Sequence, residues 1–154
     1  MTTFSFQETL NYFCEHLDAE LPKGDHEKEG VELEINSQNV VMLPTTPQGG
    51  ASLEILLGLV LRPIPENRLK ELMTSNFLGV NTGGCKLSLD EDGVCICLKI
   101  ETSPSTPPQE NWEWLHRLLS IAQSWVKILS SWKEFIPLHT PPEERREKHL
   151  GEKV

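Results

Sequence analysis

The chain has 154 residues, of which 38% are hydrophobic, and a formal net charge of −9 at pH 7. This length suits one domain with a single core, and no apolar run reaches the roughly 18 residues that a membrane span needs. The first 35 residues hold nine acidic side chains and only two lysines, and such a charge repels phosphate backbones and anionic lipids. We therefore expect neither nucleic acid nor a membrane surface as the partner.

The first helix is predicted over residues 5–21. Ser5 and Glu8 have the spacing of a capping box, and Pro22 with Gly24 marks the end of the helix. Its apolar side chains fall on one stripe, which favours a helix packed on a sheet. The stripe consists of Phe6, Leu10, Phe13, Cys14, Leu17 and Leu21.

Three strands are predicted after this helix. Residues 31–35 alternate apolar and acidic side chains, which indicates a half-buried strand near a sheet edge. A short strand at residues 40–43 is followed by a loop at residues 44–50. Residues 53–61 are so densely apolar that we expect a central strand covered on both faces.

The middle of the chain, residues 71–101, predicts a helix end, a glycine-rich break and a β-hairpin. A short helix is predicted at residues 66–76, and the apolar side chains of Leu69, Leu72, Met73 and, directly after it, Phe77 have helical spacing. Two glycines then stop the helix. In the hairpin the apolar residues share one face, and the other face is more polar. The apolar face consists of Leu87, Leu89, Val94, Ile96, Leu98 and Ile100.

A proline-rich loop at residues 102–111 and a long helix at residues 111–135 complete the predicted domain, residues 1–136. Residues 137–154 are polar, and we expect them to be a flexible tail. The predicted class is therefore α+β: an antiparallel-rich twisted sheet of about five strands with three helices, in the order α-β-β-β-α-β-β-α.

The central motifs resemble the class I chaperones of bacterial type III secretion, the Tir-chaperone (CesT-like) family. The order of the predicted elements extends this resemblance over about residues 3–136, and the family fold has the same order. The motifs are Asn76-Phe77-Leu78-Gly79, Thr82-Gly83-Gly84 and Leu87-Ser88-Leu89-Asp90-Glu91-Asp92-Gly93.

The resemblance implies a homodimer in the bacterial cytoplasm that binds the N-terminal region of one or more secreted effector proteins and keeps them stable and secretion-competent. It also suggests contact with the secretion ATPase or the export gate. The second helix and the strand after it form the two-fold interface in this family, which implies an interface of Leu69, Leu72, Met73, Phe77 and Leu87.

Effector binding is expected where the first helix meets the first strand, because an edge strand can accept an added strand. The acidic residues there favour basic or neutral cargo. Phe4 and Phe6 are expected to be less covered than the rest of this surface. The predicted effector contacts are Phe4, Phe6, Leu10, Phe13, Val31, Leu33 and Ile35.

No catalytic, cofactor or metal site is expected from the sequence. The histidines are scattered, and Cys95 and Cys97 do not have the spacing of a zinc or thioredoxin site. The four cysteines make no disulfide framework and no secretory signal is visible, so we expect reduced thiols. Two alternatives stay open: an unrelated acidic α+β interaction or scaffolding domain, and a thiol enzyme that uses Cys14 or Cys85 with a histidine.

Overall fold

The structure is a computed structural model that describes residues 2–18, 20–21, 23–61, 64–78, 84–90 and 92–138, without the side chains at positions 27, 77 and 78. Its elements in chain order are α1 (Phe6–Leu17), α2 (His26–Glu29), β1 (Val31–Ile35), β2 (Gln38–Thr46), β3 (Gly49–Val60), α3 (Glu66–Leu78), β4 (Lys86–Leu89), β5 (Cys95–Glu101), α4 (Pro108–Leu129) and β6 (Phe135–Pro137).

The sheet is antiparallel in every described pairing, with the strand order β1-β2-β3-β5-β4 and with β6 beside β3. The predicted α+β class and the predicted succession of elements are confirmed. Two elements were not predicted, the one-turn helix α2 and the strand β6. Of the predicted break at residues 81–84, only Gly84 is described, and all but the first two residues of the predicted tail lie outside the described residues.

Helix α1 begins as predicted and ends earlier. The Ser5 hydroxyl accepts from the Glu8 N–H at 3.1 Å, and the Glu8 carboxylate accepts from the Ser5 N–H at 2.6 Å, so the capping box is confirmed. The helix ends at Leu17 rather than at residue 21, because Asp18 takes a left-handed conformation with φ 51°. Aspartate tolerates this conformation and can end a helix ahead of the proline signal.

The predicted loop at residues 44–50 is wrong, because β2 runs to Thr46 and β3 begins at Gly49. Pro44 suggested a loop, since proline cannot donate to a strand ladder. However, β1 pairs with β2 only as far as Met42. At Pro44, β2 is therefore an edge strand, where a missing N–H leaves no neighbour unpaired.

The end of the long helix was also predicted wrongly. Helix α4 ends at Leu129, and Phe135–Pro137 pairs with β3 as β6. Trp132 and Phe135 continue the apolar spacing of the helix and are both buried, so periodicity alone does not separate a helix from a return to the sheet. At its other end α4 starts at Pro108, a residue well suited to a first helical turn.

Gly58 lets β6 approach β3 closely, and we expect its replacement to destabilise the protein. A Cβ at this position would overlap the Phe135 ring and the Ile136 carbonyl oxygen. Gly58→Ala should therefore lower the free energy of unfolding by about 1–3 kcal/mol, the usual cost of overpacking. Urea denaturation followed by tryptophan fluorescence measures this change.

Gly84→Ala is a comparison for this substitution, because no atom of the described residues lies within 4 Å of a Cβ there and the positive φ of 90° opposes it instead. If Gly58→Ala left the free energy of unfolding unchanged, the close packing of β6 on β3 would be refuted.

The helices α1 and α4 contact each other, and α4 covers β3 and β5 from one side of the sheet. The register places Ile55, Leu98 and Val40 on this covered face, and all three are fully buried. The opposite face of β3 is more open, since Leu59 is 40% exposed. The prediction of a central strand is thus confirmed, and the prediction that both its faces are covered holds for most of β3 but not at Leu59.

Candidate protein-binding surfaces

Strand β1 is one edge of the sheet, as predicted. A two-residue turn, Asn36-Ser37, with φ of 51° and 63°, joins it to β2. The residues flanking such a turn, Ile35 and Gln38, form a hydrogen-bonded pair, and bonded pairs then alternate along the ladder. The N–H and C=O groups of Glu34 and Glu32 therefore point away from β2.

No other described element forms a backbone hydrogen bond to this outer side of β1. The side chains of Glu32 and Glu34 are exposed, and Leu33 between them is half-buried. Leu33 pairs with Val40, so it lies on the side of the sheet that the helices cover. Strand β1 is thus an edge whose outward main-chain groups have no backbone partner in the described part of the chain, with an apolar inner side and an acidic outer side.

Most of the predicted effector contacts are core residues of the chain itself. Phe6 is 3% exposed, so the expectation that it is less covered is wrong. Leu10, Phe13, Val31 and Ile35 are buried in the same hydrophobic cluster. Only Phe4 and Leu33 among the predicted contacts are half-buried.

Phe4 belongs to a segment that the fold holds in place. Its N–H donates to the Pro104 carbonyl at 2.8 Å. Its own carbonyl lies where a Cβ on Gly49 would be, at a glycine φ of 132°. The segment before α1 therefore packs against the start of β3, and Phe4 is an anchored residue beside the α1 N-terminus.

The predicted dimer residues on α3 divide into two groups. Leu72 is 8% exposed and belongs to the core, whereas Leu69 is 37% and Met73 70% exposed. The Phe77 side chain lies outside the described residues. Leu87 on β4 is buried in the core cluster. Among the described side chains of α3, the exposed large apolar ones are Leu69 and Met73, one helical turn apart.

Sequence reasoning missed the role of Asn76 at the end of α3. Its Nδ2 donates to the Leu87 carbonyl at 2.5 Å, and its Oδ1 accepts from the Leu87 N–H at 2.7 Å. Asn76 stands in one of the motifs that carry the family resemblance. An asparagine shortly before a short strand was the available signal, but only the structure shows that it reaches the strand.

The four cysteines are buried free thiols. Burial raises the pKa of Cys14 and of Cys85. A hydrogen bond with Cys95 is the main cause that raises the pKa of Cys97, and the same bond lowers the pKa of Cys95. Because a thiol must ionise to act as a nucleophile, Cys14, Cys85 and Cys97 are held in the unreactive form.

Within the described part of the chain, no group of three or more histidine, cysteine, aspartate or glutamate residues is arranged to hold a metal ion. None of the helices described is long and apolar enough to cross a membrane.

The sequence model described as the Tir chaperone protein (CesT) family matches residues 8–125, well over half of the chain. The chain belongs to this family. The resemblance seen in the central motifs is therefore confirmed. No curated protein is similar to the chain at a significant level.

Solved structures of type III secretion proteins share the fold of this CesT-family chain. One is from the ExoU–SpcU complex of the Pseudomonas aeruginosa type III secretion system, with a TM-score of 0.56, 20% identity, and coverage of 77% of this chain and 92% of that one. A second is from the Yersinia pestis type III secretion chaperone SycH in complex with a stable fragment of YscM2. Its TM-score is 0.57 and its identity 16%, and the match covers 78% of this chain and 98% of that one. A third is from the HopA1–SchA chaperone–effector complex. Its TM-score is 0.55 and its identity 16%, and the match covers 79% of this chain and 90% of that one.

Proposed function

We propose that this CesT-family chain is a type III secretion chaperone that binds the N-terminal region of one or more secreted effector proteins. The observation that carries the proposal is the open edge of β1, where the main-chain groups of Glu32 and Glu34 have no described backbone partner. Such an edge can accept an extended polypeptide as a further strand. An effector segment held in this way stays unfolded and ready for export.

Main-chain hydrogen bonds to Glu32 and Glu34 supply affinity in this mode, and alternate side chains of the effector supply specificity. The effector side chains that face the helices lie beside the half-buried Leu33, so these effector residues are apolar. The effector side chains on the opposite side lie beside the carboxylates of Glu32 and Glu34, so these residues are basic or neutral. Association is therefore faster at low salt.

The proposed working form is a homodimer with α3 at its two-fold axis. An isologous contact places the same patch of each copy against its counterpart, and Leu69 with Met73 forms such a patch. Their exposure on a short helix supports this choice, because a partner helix would remove both side chains from water.

The chaperone works in the bacterial cytoplasm without catalysis and without a cofactor. The raised pKa values of Cys14, Cys85 and Cys97 weigh against a thiol enzyme. Delivery of the effector requires a further contact, for which the secretion ATPase or the export gate is the proposed partner.

Purification of the tagged chain from its native bacterium, followed by limited proteolysis and mass spectrometry, tests this function. A secreted protein whose N-terminal region resists proteolysis only while bound supports the proposal. A bound protein that is protected solely in a folded domain contradicts it.

A further inference from the structure

We propose that the segment after β6, residues 139–144, docks in an apolar groove between α4 and the β1–β2 turn. This segment lies outside the described residues. Its docking is inferred from the groove itself, from the point at which the described chain ends, and from the amino acids that follow. It is independent of the proposed function, since it joins two parts of the same chain.

The groove has a volume of about 340 Å³ and is apolar inside. Ile55 and Leu57 of β3 line it and are buried, and Val126 of α4 and Pro137 of β6 line it from the other elements. Lys127 at the rim is the one charged side chain among the described residues of the lining. A concave apolar site of this size is typical of a binding site. Its occupant is therefore apolar, with negative charge beside Lys127.

The register of the sheet brings the end of β6 to this groove. Strand β5 takes one side of β3 at Gly58, so β6, which also pairs with Gly58, lies on the other side. That is the side on which β2 pairs with β3 as far as Ile55. Both β2 and β6 are antiparallel to β3, so they lie in line, with only Leu56 and Leu57 between the two pairings. The chain therefore meets the start of β2 just after β6 and must leave the plane of the sheet there.

The first residue of β2 shows which side of the sheet suits the departing chain. Gln38 pairs with Ile35 and lies two residues before Val40, so its side chain is on the side that the helices cover. It lines the groove, and its Oε1 is buried without a hydrogen-bond partner among the described residues. A buried acceptor of this kind requires a donor. Thr140, two residues after the described chain ends, offers both an N–H and a hydroxyl.

The sequence after β6 has the chemistry that the groove accepts. Residues 139–144 are His-Thr-Pro-Pro-Glu-Glu. The two prolines present apolar rings and carry no N–H, so their burial leaves no donor unpaired. The two glutamates that follow carry the charge that complements Lys127. Beyond them, residues 145–154 are mostly charged, and this part remains the flexible tail that its composition predicts.

NMR of the full-length protein, without any effector, tests this docking. In the wild type we expect nuclear Overhauser contacts between the Val126 methyl groups and the rings of the two prolines. We also expect backbone order parameters of about 0.7 or more at Thr140 and Glu143, against less than about 0.6 at residues 149–154.

A double variant, Pro141→Ser with Pro142→Ser, removes the apolar rings from the segment. We expect the order parameter of Thr140 to fall below about 0.6 in this variant. The matched control is His149→Ser with Leu150→Ser, which changes two residues of the same tail outside the docked segment and should keep the wild-type order and the contacts to the groove.

Lys127→Glu tests the charge at the rim without touching the apolar lining, since Lys127 is exposed. Repulsion from the two glutamates should lower the order of the segment, and the addition of Glu143→Lys and Glu144→Lys should restore it. A charge-swapped protein no more ordered than Lys127→Glu would overturn the proposal. So would a wild-type groove without contacts to residues 139–144, whether it is empty or holds a second copy of the chain. Because no effector is used, these results leave the chaperone function to be decided separately.

Discussion

Met73→Asp is expected to convert the protein from a dimer into a monomer. The Met73 side chain is 70% exposed in the single chain, and a two-fold contact through α3 would bury two copies of it. Burial of a methionine contributes about 2 kcal/mol, so the loss of both copies weakens the dimer roughly a thousand-fold, before the cost of burying two carboxylates is added. Light scattering coupled to size-exclusion chromatography should report half the wild-type mass.

Asn67→Asp is the matched control, since it adds the same charge at an exposed position on another side of α3, and it should remain a dimer. Leu72→Asp is a poorer test, because Leu72 belongs to the core and a carboxylate there disturbs folding as well as association. A Met73→Asp protein that keeps the full dimer mass at micromolar concentration would rule out α3 as the interface.

Glu32→Pro is expected to weaken effector binding strongly while the protein stays folded and dimeric. The Glu32 N–H points away from β2, so proline removes a donor from the open edge without breaking the ladder to β2. The effector loses one hydrogen bond, and its carbonyl is left unpaired. These two costs together amount to about 2–4 kcal/mol, which corresponds to roughly 30- to 1000-fold weaker binding. Isothermal titration calorimetry with the N-terminal segment of a co-purified effector measures the change.

Glu32→Gln separates the main chain from the charge at this position. It keeps the N–H and removes only a surface carboxylate, so its effect should be less than about five-fold and should shrink as salt is added. If Glu32→Pro bound the effector as tightly as Glu32→Gln does, strand addition at β1 would be refuted, and the effector would have to contact side chains elsewhere.

Local signals in the sequence were sufficient to predict several elements. The capping box of Ser5 and Glu8, the alternation of residues 31–35 and the alternation of the two hairpin strands are local signals with their own physical cause. Each agrees with the structure. The errors at Pro44 and at Phe135 have a different origin. Whether a proline sits on an edge, or an apolar residue returns to a sheet, depends on strands that are distant in the sequence.

The candidate surfaces show the same limit. The apolar stripe of α1 was recognised, but periodicity does not tell which side chains the chain covers by itself, and Phe6 proved to be core. The assignment of α3 residues to a dimer interface came from the family resemblance and stays a prediction, and of its residues Leu72 is core whereas Met73 is 70% exposed. The contact of Asn76 with Leu87 was not predictable, since it joins a helix to a strand across a glycine-rich segment.

The stoichiometry and the bound segment of the native complex test the proposed chaperone most directly. Native mass spectrometry of the chain purified from its bacterium, combined with hydrogen exchange, supplies both. We predict two copies of this chain with one secreted protein, whose N-terminal region is bound, and slower exchange of the Glu32 and Glu34 amides than in the free dimer. A complex in which these two amides exchange as fast as in the free protein, or a chain that never carries a secreted protein, would contradict the proposal.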